Sequence, residues 1–150
     1  MFLYELISAR RNNPFFINFM LGICLALSFE PFNIPFLSIP VIGFLFLIND
    51  HVFYSNHRRV KIFFLNGIFF GFGFFLFSMY WISNSVLVLD ERLNYLVPII
   101  LFFFPLSMSM FFGFMQIINA LVWSSSDSRL FFFSIIWILI IMWLKMSINL

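Results

Sequence analysis

The sequence predicts an all-α fold: a polytopic membrane helix bundle of about five transmembrane helices, the first two forming a short hairpin. Three observations predict it. The hydrophobic fraction is 63%, charged residues make up 9%, and the mean hydropathy is +1.07, whereas an ordinary globular domain carries about 25% charged residues. Ile62 to Leu89 is an unbroken apolar stretch without one charged side chain. A bilayer core about 30 Å thick needs roughly 20 helical residues at about 1.5 Å each, so this stretch alone is long enough to cross. Finally, the apolar runs do not alternate polar with apolar residues, as the strands of a membrane barrel do.

Residues 1–13 read as a cytoplasmic N-terminal segment, weakly amphipathic and ending in Arg10-Arg11-Asn12-Asn13; residues 14–150 read as the transmembrane helical domain. Pro14 to Phe29 is apolar and follows a basic segment, as in a signal peptide. No small-x-small cleavage site follows it, so it reads as an uncleaved first span over 14–29. Residues 14–48 would make a single helix on the order of 50 Å long, too long for one crossing. Pro31 and Pro35 in Glu30-Pro31-Phe32-Asn33-Ile34-Pro35 break it, since each removes a backbone donor. The result is a hairpin with short arms over about 14–29 and 35–48, crossing by local thinning of the bilayer or, on the rival reading, re-entrant.

A polar loop is expected from Asn49 to Lys61, then a third span over 62–89. Asp90-Glu91-Arg92 interrupts the apolar run. A fourth span over about 96–123 contains Pro98 and Pro105, a polar loop follows from Ser124 to Arg129, and a fifth span covers about 130–144. Basic residues set the orientation. With the N-terminus in the cytoplasm, Arg10, Arg11, Arg58, Arg59, Lys61 and Arg129 fall inside, and only Arg92 and Lys145 fall outside.

Composition excludes several chemistries. A net charge of +2 is too small to point to nucleic acid. Cys24 is the single cysteine and lies in an apolar run, where a thiolate is not stable; it reads as a small buried apolar residue. His51 and His57 have no acidic partner at ligand spacing, so no metal and no other cofactor is expected. Paired catalytic carboxylates, phosphate-cradling glycine loops and Ser/His/Asp sets are absent from the sequence, so no catalytic residue is assigned.

What remains are candidates for packing and lipid contact. Gly67 and Gly71 make a G-x-x-x-G with Gly73 two residues on, a stripe where another helix approaches closely, either an internal seam or a dimer face. Asn66 and Ser78, with Gln116 and Asn119, are expected to bond to neighbouring helices. Tyr80 and Trp81 sit toward the outer end of the third span, as an aromatic belt or as a wall for a bound lipid. Glu30 is an acid in an apolar region, either a solvated turn residue or a site acid.

Three ordered stretches resemble the N-terminal membrane region of apolipoprotein N-acyltransferase. They are Ala26 to Asn33, with its Phe29 followed by Pro31-Phe32; Gly67 to Gly73 followed by Phe74 to Ile82, a glycine-rich span ending in Trp81-Ile82; and Trp137 to Lys145. The resemblance covers about residues 15–145. It implies a protein of the bacterial inner (plasma) membrane, and an activity in which an acyl chain passes from a membrane phospholipid to the enzyme. The acyl chain then passes to the α-amino group of a diacylglyceryl-cysteine in lipoprotein biosynthesis. The family's catalytic Glu, Lys and Cys belong to a nitrilase-like domain downstream of the matched region, so none is carried over, and Cys24 is not that nucleophile.

The sequence departs from the family at Met142, where an acid is usual, at Trp137, one residue out of register, and in lacking a Gly-Phe-Pro-Trp segment after Lys145. These departures lead us to expect a truncated or split form that is inactive alone: either a degraded remnant, or one part of a split enzyme complemented by a separately encoded nitrilase-like domain. The competing expectation is a non-enzymatic membrane scaffold or assembly subunit, supported by Gly67 and Gly71. A transporter fragment fits less well, because the spans lack buried charges.

Overall fold

The computed structural model describes residues 14–29, 32–55, 58–78, 97–123 and 128–148. These form five α-helices: α1 (Pro14–Ala26), α2 (Ser38–Ser55, entered through a 3-10 turn at Pro35–Leu37), α3 (Arg59–Ser78), α4 (Val97–Val122) and α5 (Ser128–Ile148). There is no strand among the described residues. Three segments are long and apolar enough to cross a membrane: Pro35–Ser55, Arg59–Ser78 and Leu101–Val122. The described part of α1, at 13 residues, rises only about 20 Å.

The α1–α2 hairpin closes through its main chain. Asn33 donates its N–H to the Phe29 carbonyl at 2.9 Å, and Ile34 donates to that of Leu27 at 3.3 Å. Asn33 holds a φ of 49°, a left-handed conformation that asparagine tolerates better than most side chains. Pro35 then starts the 3-10 turn, where its missing N–H has no helical partner to lose.

The second arm is longer than the sequence suggested. The helix does not give way to a polar loop at Asn49 but continues to Ser55. The reason is that the first polar residues of the expected loop are held by other helices: Asn49 is fully buried against α4, and Asp50 faces Arg129 of α5. In α4, Pro98 occupies the first turn and Pro105 lies buried inside the helix. Around Pro105 the hydroxyls of Ser107 and Ser109 donate to the carbonyls of Phe104 and Leu106, at 3.0 and 2.6 Å. Third-span residues 79–89, and Asp90-Glu91-Arg92, lie outside the described residues.

Helix α3 is the centre of the bundle, with α1 against one side and α4 against the other. Along α1, Phe15 stacks on Phe69 and Phe19 meets Phe72, and past its end Phe29 meets Phe74 and Phe32 meets Phe77. The pairs ascend together, so α1 runs parallel to the second half of α3. Along α4 they descend: Phe64 pairs with Phe114, Phe70 with Phe112 and Phe72 with Phe102. That seam is antiparallel.

The exterior is as apolar as the core. Phe102, Phe103, Phe114 and Leu121 of α4 are exposed, as are Phe131, Ile138 and Leu139 of α5, while the polar Ser109, Gln116 and Asn119 of α4 point inward. A water-soluble monomer rarely exposes a continuous apolar surface of that extent. Hydrocarbon around the helices removes the conflict.

Candidate functional site

Four carboxamides from three helices lie buried in the half of the bundle nearer the end of α2. The amide nitrogen of Asn49 donates to Gln116 Oε1 at 3.1 Å, and that of Asn119 donates to the same oxygen at 3.2 Å. Asn49, Gln116 and Asn119 are each at most 2% exposed, and Asn66 of α3 is fully buried. Gly67, the next residue, faces the Gln116 side chain, which places Asn66 at the same depth. Both amide atoms of Asn66 lack a protein partner, as do Asn49 Oδ1 and Gln116 Nε2. A carboxamide neither ionises nor attacks a carbonyl, so the cluster joins helices and offers hydrogen bonds without performing acyl chemistry.

A column of rings fills the space between α3, α4 and α5. Trp137 of α5, 2% exposed, meets Phe70 edge-on at 5.3 Å, Phe112 at 5.9 Å and Phe133 at 6.0 Å. Phe133 continues to Trp123 at 5.7 Å, and Trp123 reaches Phe46 of α2 at 5.2 Å. Edge-to-face and offset pairs of this kind add about 0.5–1.5 kcal/mol each beyond the area they bury. They supply the contact by which α5, otherwise loosely apposed, is fixed to the bundle.

Asp50, Arg58, Arg59, Lys61 and Arg129 gather at one end, where α2 stops, α3 starts and α5 begins. Arg129 Nη1 donates to the Tyr54 hydroxyl at 2.7 Å and lies 3.1 Å from Asp50 Oδ1. The Arg59 guanidinium sits 4.5 Å above the Phe53 ring. Arg58 and Lys61 are exposed beside it.

The structure separates the sequence candidates. Glu30, Tyr80 and Trp81 lie outside the described residues, as do Arg10, Arg11 and His57. A Cβ on Gly67 would meet the Phe112 carbonyl oxygen at 2.6 Å, and one on Gly71 would meet the Phe112 ring at 2.9 Å, so both face α4. Gly73 faces the other way, with its α-carbon against the Phe19 carbonyl of α1, and Gly22 of α1 answers it against Phe70 and Phe74. Among the polar candidates, Gln116 and Asn119 are bonded to each other, while Asn66 and Ser78 Oγ have no partner among the described residues. Cys24 is half-buried among apolar neighbours. No cluster of His, Cys, Asp or Glu able to hold a metal occurs among the described residues. Asn49 was missed: it begins the run Asn49-Asp50-His51, which on composition alone resembles a solvated loop.

Comparison with known proteins gives one consistent result. A family model described as the apolipoprotein N-acyltransferase N-terminal domain matches residues 21–147. Apolipoprotein N-acyltransferase of Brucella melitensis biotype 1 is 28% identical over 122 residues, covering 77% of this chain and 23% of the relative. The same enzyme of Sinorhizobium medicae is 28% identical over 125 residues, covering 77% and 22%, and that of Brucella suis biovar 1 is 28% identical over 118 residues, covering 75% and 22%. The chain thus spans less than a quarter of the length of the curated relatives it matches. No solved structure matches it.

Proposed function

Since the chain belongs to the apolipoprotein N-acyltransferase N-terminal domain family, we propose that it is the membrane-embedded part of a protein that transfers an acyl chain from phospholipid to the N-terminal cysteine of a lipoprotein. The observation that carries this reading is the family match over residues 21–147, nearly the whole bundle. In this role the helices hold the catalytic machinery at the bilayer and shape a path for the phospholipid donor, with Glu30, Tyr80 and Trp81 as its lipid-contacting residues. The location is the bacterial inner membrane, crossed several times, with the N-terminus in the cytoplasm. The gathering of Arg58, Arg59, Lys61 and Arg129 at one end supports that orientation.

Covalent capture of an acyl group requires an activated nucleophile. Among the described residues the one thiol is Cys24, half-buried against the apolar core and without a basic partner. We therefore assign the transfer step to a nitrilase-like partner region outside these 150 residues and expect this stretch to be inactive by itself. The scaffold alternative rested on Gly67 and Gly71 as a docking face, and α4 already covers both.

The test is genetic. A strain depleted of its own apolipoprotein N-acyltransferase receives these 150 residues alone, or together with a separately expressed nitrilase-like half of a relative. Growth and triacylated lipoprotein only with both supports the reading. Acylation by these residues alone would overturn the assignment of the nucleophile, and growth with neither would overturn the functional role.

A further inference from the structure

We propose that the end of the bundle where α2 stops and α3 begins binds the phosphate of an anionic phospholipid of the phosphatidylglycerol or cardiolipin class, a lipid site separate from any acyl-donor path. Phe53 and Tyr54 are consecutive residues whose rings meet edge-to-face at 5.3 Å. Each is paired with an arginine from a different helix. Arg59 of α3 lies 4.5 Å over Phe53, and Arg129 of α5 lies 5.8 Å from the Tyr54 ring centre. The last turn of α2 thus carries two neighbouring rings, each with a guanidinium group of another helix against it.

Their states differ. Asp50 is the one carboxylate among the described residues, and it faces Arg129. Arg58, Arg59 and Lys61 have no carboxylate partner among those residues, and all three are exposed. A guanidinium resting on a Phe face spends its flat side on the ring and keeps its in-plane N–H groups free. Such a group is well suited to two oxygens of a phosphate.

The flanks decide between a lipid and free phosphate. Val60 and Tyr54 are exposed next to the cations, at 39% and 60%, and the outward faces of the helices above them are apolar. A phosphodiester carrying acyl chains satisfies both surfaces, whereas inorganic phosphate meets only one. A zwitterionic headgroup brings its own ammonium among the arginines and binds less well. Basic clusters at the ends of membrane helices attract anionic lipid in this way.

This inference requires membrane insertion but not the acyltransferase reading, so the two fail separately. The whole chain, purified in mild detergent and stripped of lipid, is titrated by native mass spectrometry with phosphatidylglycerol and with phosphatidylethanolamine. Phosphatidylglycerol should bind about tenfold tighter. Arg58→Gln with Lys61→Gln should reduce that preference several-fold without affecting folding, because both side chains are exposed and neither has a partner among the described residues. Arg58→Lys should retain it. Phe53→Leu removes the ring under Arg59 without changing charge, and it should weaken phosphatidylglycerol alone. Equal affinity for the two lipids would overturn the proposal. So would an undiminished preference in the Arg58→Gln, Arg59→Gln, Lys61→Gln variant, or displacement of phosphatidylglycerol by millimolar glycerol phosphate.

Discussion

The α-carbon of Gly67 lies so close to Phe112 that an added methyl group would stand 2.6 Å from the Phe112 carbonyl oxygen and 2.8 Å from the α-carbon of Gly113. At this point helices α3 and α4 touch through main chain, between the ring pairs that line the rest of the seam. Gly113 of α4 leaves room for a side chain of α3 in turn: a Cβ there would stand 2.7 Å from the Phe64 ring. Close approach of this kind gains dispersion contacts where lipid offers no hydrophobic driving force between helices.

Gly67→Val should therefore force the two backbones apart and destabilise the bundle by about 2 kcal/mol or more. Gly43 provides the contrast, because a Cβ there meets nothing within 4 Å. Gly43→Ala should be neutral or slightly stabilising. Unfolding in mixed micelles of increasing SDS content, followed by tryptophan fluorescence, measures both. Equal effects at the two positions would refute the backbone contact.

The carboxamides should behave unequally. Gln116→Leu removes the acceptor shared by Asn49 and Asn119 and leaves two buried donors without it, at a cost of about 1–2 kcal/mol. Asn66→Leu removes two atoms that have no protein partner, and it should be neutral or stabilising by about 1 kcal/mol. The same SDS titration ranks them, and a larger loss for Asn66→Leu than for Gln116→Leu would count against the network.

Trp137 is the residue through which α5 meets Phe70 and Phe112. Trp137→Ala should cost about 3–5 kcal/mol locally and free α5 while the α1–α3–α4 core persists. Disulfide crosslinking between cysteines placed at Phe46 and Phe133, which now meet at 5.3 Å, should drop sharply. A crosslink between Phe64 and Phe114 positions should be unaffected.

Asn33 and Ser55 lie at opposite ends of α2 and its entering turn. In a Cys24→Ala background, an impermeant maleimide applied to intact spheroplasts should label Asn33→Cys and leave Ser55→Cys unlabelled until the membrane is opened. The reverse pattern would invert the orientation.

The helical class was legible, and so were the five helices among the described residues, because a charge-free run longer than a bilayer admits few other structures. The partners of the α3 glycines were not legible. Gly67 and Gly71 look toward α4 while Gly73 looks toward α1, a division set by the 100° step of the helix and not by the motif. Asn49 was misplaced for a different reason. Hydropathy cannot distinguish an asparagine solvated by water from one bonded to Gln116 across the bundle. Asp50 was hidden in the same way, since its counterion Arg129 is distant in sequence. The acyltransferase resemblance was carried by the order of three stretches, while the chemistry itself had no residues here to be read.

The two notches on α3 have a consequence for how the molecule is made. Translation delivers the helices in sequence, and the α1–α3 contacts of Gly22 with Phe70 and Phe74, and of Gly73 with Phe19, need only the first three helices. The Gly67–Gly113 contact must wait for α4. Until then the face of α3 that carries Gly67 and Gly71 lacks the helix that covers it in the finished bundle.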